Sequence, residues 1–186
     1  MVLDIKEHLI SRGMDPLHPS VRLDEENCIA TFLLWNLSGV LVGYQQYNPH
    51  GTKQLRNDER NRHVLKYFTY VGDEGDAVGG NKRRLAVWGL ESTRHDDTII
   101  YLTEGVFDAV KLHALGLPAV AVLANDPKHI RPWLVALNRR VIAVCDNDAP
   151  GHRLGSIAHA SIVVPTPYND VGDMPVDAVM VLLSLR

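Results

Sequence analysis

Five acidic residues follow the ends of predicted strands in the second half of the chain. They are Glu104, Asp146, Asp148, Asp170 and Asp173. The first follows the apolar segment 98–103, the next two follow 141–145, and the last two follow 162–164 after a turn. If these segments are parallel strands, their carboxyl ends meet at one edge of the sheet, where ligands of such sheets bind. We therefore expect these carboxylates to act together.

Carboxylates held close together repel one another, and each tends to stay protonated unless a cation compensates the charge. Oxygen ligands favour Mg²⁺ or Mn²⁺ over zinc. Two such ions, about 4 Å apart, can activate an attacking oxygen and stabilise a leaving one without a protein nucleophile. Each acid taken singly is ordinary turn chemistry, so the prediction of a metal site depends on their shared position.

The elements that would position these acids alternate regularly from residue 98 onward. Apolar segments predict strands over 98–103, 119–123, 141–145 and 162–164. Helical spacing predicts helices over 106–115, 127–137, 151–160 and 176–185. Strands that are apolar almost throughout and that alternate with helices are typical of a mostly parallel sheet with helices on both faces. We predict an α/β domain over residues 98–186.

The first half of the chain has a different pattern. Residues 1–20 predict a short amphipathic helix, and the segments 28–36 and 40–47 predict a hairpin around the Ser38-Gly39 turn. A further strand is predicted over 65–71, followed by a glycine-rich loop over 72–80 and an apolar segment over 85–90. We predict a small α+β subdomain over residues 1–97.

Composition excludes several classes of protein. Hydrophobic residues make up 46% of the 186 residues and charged residues 22%, which is typical of a globular chain and not of a disordered or fibrous one. The formal net charge of −3 excludes a uniformly basic protein. Two cysteines, Cys28 and Cys145, are too few for a disulfide framework or a four-cysteine zinc site. No apolar run is long enough to span a membrane.

The weak net charge hides two basic clusters in the first half. Residues 53–66 contain Lys53, Arg56, Arg60, Arg62 and Lys66 with only two acidic residues among them, and the second cluster is Lys82-Arg83-Arg84. Local basic patches can attract a polyanion without making the whole protein basic. Scattered Lys and Arg more often simply keep a surface solvated.

Two segments resemble the signatures of the Toprim domain, which is shared by bacterial-type primases, topoisomerases and some small nucleases. They are LTEGVFDAV over residues 102–110 and VCDNDAPG over 144–151. In the first half, GVLVGY (39–44), KYF (66–68) and AVWGL (86–90) resemble stretches of the basic subdomain that precedes Toprim in bacterial and phage primases. The resemblance covers roughly residues 27–175 and implies a Toprim-domain primase core.

The resemblance also implies roles for individual residues. Glu104 would be the metal-linked catalytic acid, and Asp146 and Asp148 would be the principal metal ligands. Asp108, Asp170 and Asp173 would hold a further ion or support the first ligands. Lys66 matches a family lysine that contacts template or nucleotide, and Lys82, Arg83, Arg84 and Arg56 are the other expected contacts to nucleic acid or nucleotide.

The expected activity is therefore DNA-templated synthesis of short RNA primers with Mg²⁺ or Mn²⁺ and without zinc, in a phage- or mobile-element-type primase. One alternative is a metal-dependent Toprim nuclease, which could use the same acids to activate water. The other is a non-catalytic protein that binds nucleic acid or the replication machinery. The presence of Glu104, Asp146 and Asp148 argues against the last, since binding alone would not require them.

The expected partners follow from this activity. They are a single-stranded DNA template and ribonucleoside triphosphates, with no membrane. The sequence contains neither the zinc-binding module that commonly precedes primases nor a helicase segment, so a separate helicase or template-selecting protein is expected. The expected location is the cytoplasm of a bacterium or of a phage-infected cell.

Overall fold

The first half of the chain forms an antiparallel sheet that carries one helix. The computed structural model describes residues 3–72, 86–94, 96–123, 127–148 and 153–184. Helix α1 (Ile5–Ser11) begins at Asp4, whose carboxylate accepts hydrogen bonds from the N–H groups of Lys6 and Glu7. The strands, in spatial order, are β1 (Val21–Asp24), β2 (Ile29–Trp35), β3 (Leu41–Tyr47) and β4 (Tyr67–Val71). The predicted hairpin is confirmed as β2 and β3.

Strand β2 shows how this sheet obtains its buried face. Its side chains alternate between buried and partly exposed, and Ala30, Phe32 and Leu34 are the buried ones. On β3, Gln45 and Tyr47 lie opposite Phe32 and Ala30, so they belong to the same buried face. This period of two is what a sheet covered on one face requires.

The second half forms a four-stranded parallel sheet, as predicted. Its strands are β5 (Ile99–Thr103), β6 (Ala119–Ala121), β7 (Arg140–Cys145) and β8 (Ala160–Val163), in the spatial order β6-β5-β7-β8, and every neighbouring pair is parallel. The helices are α2 (Val106–His113), α3 (Arg131–Ala136) and α4 (Val176–Ser184). The predicted α/β fold, with a small α+β unit before the parallel sheet, is confirmed.

Helices cover the parallel sheet on both faces. Five residues of α2 and Val179 of α4 belong to the same hydrophobic cluster as the buried face of the antiparallel sheet. Leu134 of α3 belongs to a second cluster, together with Ile100 and Leu102 of β5. The larger cluster contains the edge-to-face contact of Phe32 with Phe107, whose ring centroids are 5.7 Å apart. The two sheets therefore share one core.

The described part of the apolar segment 85–90 contacts both sheets. In the described part of this segment, Val87 forms a single bridge to Trp35 of β2, and Trp88 forms a single bridge to Ala121 of β6. Consecutive residues thus pair with different sheets, which prevents a ladder, and Gly89, with φ of +87°, ends the extended backbone. The segment instead ties the two sheets together.

Strand β1 is an addition to the predicted elements. Its four residues, VRLD, form an edge of the antiparallel sheet. One prediction needs correction. The helix predicted over 151–160 does not reach its expected end. His159 already pairs with Val141 at the start of β7 through its N–H (2.9 Å) and its Nδ1 (3.0 Å), and β8 begins at Ala160. Within the described residues, no helix is both long and apolar enough to cross a membrane.

Candidate active site

Glu104 follows β5 directly and stands at the entrance to α2. Its side chain is partly buried, and its Oε1 is buried without a hydrogen-bond partner in the described part of the chain. Burial raises the pKa of Glu104, and the charge of Asp148 raises it further. An acceptor oxygen without a donor normally costs free energy in a folded protein, so this carboxylate is suited to receive a ligand.

Asp146 follows β7, the strand that pairs with β5. Burial raises its pKa to about 8, and the charges of Asp108, Glu104, Asp170 and Asp148 add to this effect. No described residue donates a hydrogen bond to its carboxylate. Electrostatic coupling to these four acids means that the carboxylates predicted from the strand ends lie within one region.

Asp108 is the most buried of these acids and joins two parts of the site. Its Oδ2 accepts a hydrogen bond from the N–H of Gly105 (3.1 Å), and its Oδ1 accepts one from the N–H of Gly172 (2.8 Å). Burial raises its pKa to about 7, the charge of Asp170 adds to this, and the two hydrogen bonds oppose it. Because both of its oxygens bind backbone, Asp108 holds the start of α2 against the 170–173 turn.

Asp170 and Asp173 lie on that turn. The Asp170 carboxylate caps it by accepting a hydrogen bond from the N–H of Asp173 (2.9 Å). Burial and the charge of Asp173 raise the pKa of Asp170, whereas Arg12 and Lys53 lower it. Asp148 and Asp173 are exposed, while the other acids are partly or fully buried.

Four of these acids, Glu104, Asp108, Asp146 and Asp170, line a cleft of about 480 Å³ to which both halves of the chain contribute. The exposed Asp148 and Asp173 are not among its lining residues. The parallel-sheet half contributes Glu104, Gly105, Val106, Phe107, Asp108, Leu123, Asp146 and Asp170. The antiparallel half contributes Arg12, Gln45, Lys53, Asn57, Tyr67 and Thr69. One wall is therefore acidic, and the other carries cations, amides and hydroxyl groups.

Sequence reasoning missed Arg12. Its guanidinium carbon lies 4.5 Å from the ring centroid of Phe107, and its Nη2 lies 4.0 Å from an oxygen of Asp173. Its Nε is buried without a hydrogen-bond partner among the described residues. The residue follows α1 immediately, and no signal in a single sequence connects it with acids about a hundred positions away.

The predicted basic contacts lie elsewhere in the structure or outside it. Lys66 precedes β4, and Arg56 is exposed on the connection between β3 and β4. Neither is among the described residues that line the cleft. Lys82, Arg83 and Arg84 lie outside the described residues. All of these contacts stay predictions.

The acids fit a divalent cation in two respects. Glu104 has a buried oxygen without a donor, and Asp146 has neighbours whose charges need compensation. Among the described residues, however, no three His, Cys, Asp or Glu side chains are arranged as a complete ion-binding group. Mg²⁺ usually binds through one or two carboxylates and fills its other positions with water and substrate phosphates. An ion held through Glu104 and Asp146 would bind in that mode and not in a closed protein cage.

Asp108→Ala should destabilise the fold, because it removes the acceptors of the Gly105 and Gly172 N–H groups. We expect the free energy of unfolding to fall by about 2 kcal/mol, as measured by urea denaturation. Lys111→Gln, on the same helix and outside the cleft, should change it by less than about 0.5 kcal/mol. Equal free energies of unfolding for the two variants would contradict the claim that Asp108 holds the start of α2 against the 170–173 turn.

Comparison with known proteins identifies the fold. No protein-family model matches the sequence, and no curated protein matches it. Solved structures do match. The DnaG primase catalytic domain bound to single-stranded DNA has a TM-score of 0.61 at 15% identity, with 97% of this chain and 58% of that chain covered.

Two further solved structures show the same likeness. The Escherichia coli primase catalytic core has a TM-score of 0.58 at 16% identity, over 97% of this chain and 59% of that one. The primase fragment of the bacteriophage T7 primase-helicase protein has a TM-score of 0.54 at 13% identity, over 84% of this chain and 61% of that one. The chain thus has the fold of primase catalytic cores and spans about three fifths of the length of these three.

Proposed function

We propose that this chain is a primase core that synthesises short RNA primers on single-stranded DNA. The observation that carries the proposal is the cleft itself, in which Glu104 and Asp146 at the strand ends face a polar wall from the antiparallel sheet. The fold supports it, because solved primase catalytic cores share this architecture. We assign it to the phage or mobile-element type, acting in the cytoplasm of a bacterium or phage-infected cell.

The roles proposed for the acids are those that the Toprim resemblance implies. Glu104, Asp146 and Asp148 would hold Mg²⁺ or Mn²⁺, and Asp108, Asp170 and Asp173 would keep the first three in place. Bound there, the ion would supply charge neutralisation for the phosphates and activation of the attacking hydroxyl. No protein nucleophile is needed, since phosphoryl transfer depends mainly on positioning and electrostatics.

The roles proposed for the cations concern phosphate. Arg12 is held against Phe107 and lines the cleft, so its guanidinium is fixed at a position where it can face a phosphate. Lys66, Arg56, Lys82, Arg83 and Arg84 would contact the template or nucleotide. A separate helicase or template-selecting protein would supply the substrate strand.

The proposal predicts a specific product. Single-stranded DNA, Mg²⁺ or Mn²⁺ and labelled ribonucleoside triphosphates should yield short labelled oligomers, resolved on a denaturing gel. Product should require all three components and should be digested by ribonuclease, because it is RNA templated by the strand.

A second label, on the DNA or on an RNA strand, separates the alternatives in the same experiment. Shortened input strands without new oligomers would identify a nuclease and overturn the proposal. Binding of the strand, with neither synthesis nor cutting, would identify a non-catalytic nucleic-acid-binding protein.

A further inference from the structure

The connection between β3 and β4 is an ordered part of the cleft wall. It spans residues 48–66, and its two ends pair with each other. The N–H of Asn48 donates to the carbonyl of Lys66 (2.9 Å), and the N–H of Lys66 donates to the carbonyl of Thr52 (2.8 Å). Gly51 lies so close to this pairing that a Cβ would stand 2.5 Å from backbone atoms of Leu65 and Lys66. The base of the connection is therefore tightly fixed.

A second anchor fixes the middle of the connection. The side chain of Asn57 pairs with both backbone groups of Thr69 on β4, the edge strand of the sheet. The N–H of Thr69 donates to Asn57 Oδ1 (2.9 Å), and Asn57 Nδ2 donates to the carbonyl of Thr69 (2.8 Å). The Asn57 side chain thus makes the two hydrogen bonds to Thr69 that a neighbouring strand would make at this edge of the sheet. Residues 53–56 are held between the anchors at Thr52 and Asn57.

Lys53 is the cation that this arrangement presents to the cleft. It lines the same cleft as Glu104 and Asp146, with its Nζ 6.0 Å from the ring centroid of Tyr67. Within the described residues, Arg12 and Lys53 are the cations of the lining, and Arg12 already lies 4.0 Å from Asp173. Lys53 is exposed and forms no ion pair with any described residue. Its ammonium group is available for an anionic ligand.

We propose that Lys53 contacts the triphosphate of the incoming nucleotide and that Asn57 is the positioning residue that keeps Lys53 on the cleft wall. The proposal rests on the proposed function and names a contact for the substrate of that reaction. A lysine ammonium binds phosphate oxygens as a compact point charge. The phosphates that react must lie beside the strand-end acids, and Lys53 stands across the cleft from them. The phosphates of the template backbone do not react, so they need not lie beside these acids. We therefore assign the nucleotide as the ligand.

Binding of ATP, ADP and AMP to Lys53→Gln, measured by isothermal titration calorimetry with Mg²⁺, tests this contact. We expect about tenfold weaker binding of ATP, a smaller loss for ADP and none for AMP. Binding of a fluorescent oligo(dT) strand should stay within about twofold of the wild type. Arg60→Gln is the matched control, because Arg60 lies on the same connection but pairs with Asp58. It should bind all three nucleotides as the wild type does.

Asn57→Ala tests the positioning role without changing any charge. We expect about threefold weaker binding of ATP, unchanged binding of AMP, and a higher KM for nucleotide with little change in kcat. General loss of structure would instead weaken the binding of AMP and lower the midpoint of unfolding, and this midpoint is measured for each variant.

The remaining outcomes overturn the proposal in distinguishable ways. Unchanged ATP binding by Lys53→Gln, in a protein whose wild type makes primers, refutes the contact and leaves the proposed function intact. Weaker oligo(dT) binding with unchanged ATP binding assigns Lys53 to the template instead. A wild type that binds no ATP and makes no primers refutes the contact and the proposed function together.

Discussion

Asp146→Asn should reduce primer synthesis about a thousandfold and should at the same time make the protein harder to unfold. The loss of synthesis follows because Asp146 lines the cleft, and its carboxylate is a proposed ligand of the ion that would neutralise the reacting phosphates. The asparagine amide has nearly the same shape as the carboxylate but carries no charge, so the substitution should not displace the residues that bind the substrate. Initial rates of labelled oligomer formation measure the effect.

The gain in stability has a separate cause. Burial and four neighbouring carboxylates raise the pKa of Asp146 to about 8. A group whose folded pKa lies above its unfolded pKa binds more protons in the folded state. Its ionisation therefore lowers stability as the pH rises from about 4 to about 8. Asparagine carries no charge and therefore avoids this cost. Since no described residue donates a hydrogen bond to the Asp146 carboxylate, the substitution leaves no described donor without its acceptor.

The two effects are measured against a matched control. Asp177→Asn replaces an exposed carboxylate on α4, and it should change neither synthesis nor stability appreciably. In metal-free buffer, the advantage of Asp146→Asn in melting temperature should be largest above pH 8 and should disappear near pH 4. Wild-type synthesis by Asp146→Asn would refute the assignment of this residue to the metal site.

Mg²⁺ should stabilise the protein strongly at pH 8 and weakly at pH 5. Protons and the cation compete for the same carboxylates, so the metal binds best where the acids have released their protons. The pKa values of Asp146 and Asp108, about 8 and about 7, place this competition near neutral pH. At a concentration of a hundred times the Kd, we expect the melting temperature to rise by about 5–10 °C at pH 8.

Differential scanning fluorimetry at both pH values, with Mg²⁺ and with a chelator, measures this coupling. K⁺ at matched ionic strength controls for screening of the acidic cluster. In Asp146→Asn, the shift caused by Mg²⁺ should be largely lost. A shift of equal size at pH 5 and pH 8 would show that the ion binds away from these acids.

The acidic wall of the cleft could be predicted from the sequence because local signals determine it. The strands β5 and β7 are short runs of apolar residues, and each is followed directly by an acid, Glu104 or Asp146. In a parallel sheet, strand ends share an edge whatever the details of packing. Asp108 could be identified by its place in the segment 102–110, which resembles the Toprim signature, but the hydrogen bonds that it accepts from Gly105 and Gly172 could not be predicted.

The opposite wall could not be predicted, because it depends on contacts between distant elements. Arg12 reaches the cleft only because α1 packs in the same core as α2. Lys53 and Asn57 lie in a polar, turn-rich segment whose path is determined by pairing with β4. The apolar segment 85–90 likewise carries no signal that Val87 and Trp88 pair with different sheets. In each case the deciding contact has no short-range signature.

Uptake of Mn²⁺, measured as the loss of the free-ion signal in electron paramagnetic resonance at pH 8, tests the central claim most directly. That claim is that the acids after β5 and β7 form one divalent-cation site. The wild type should take up Mn²⁺, and both Glu104→Gln and Asp146→Asn should bind it at least about tenfold more weakly. Uptake by both variants equal to that of the wild type would contradict the account.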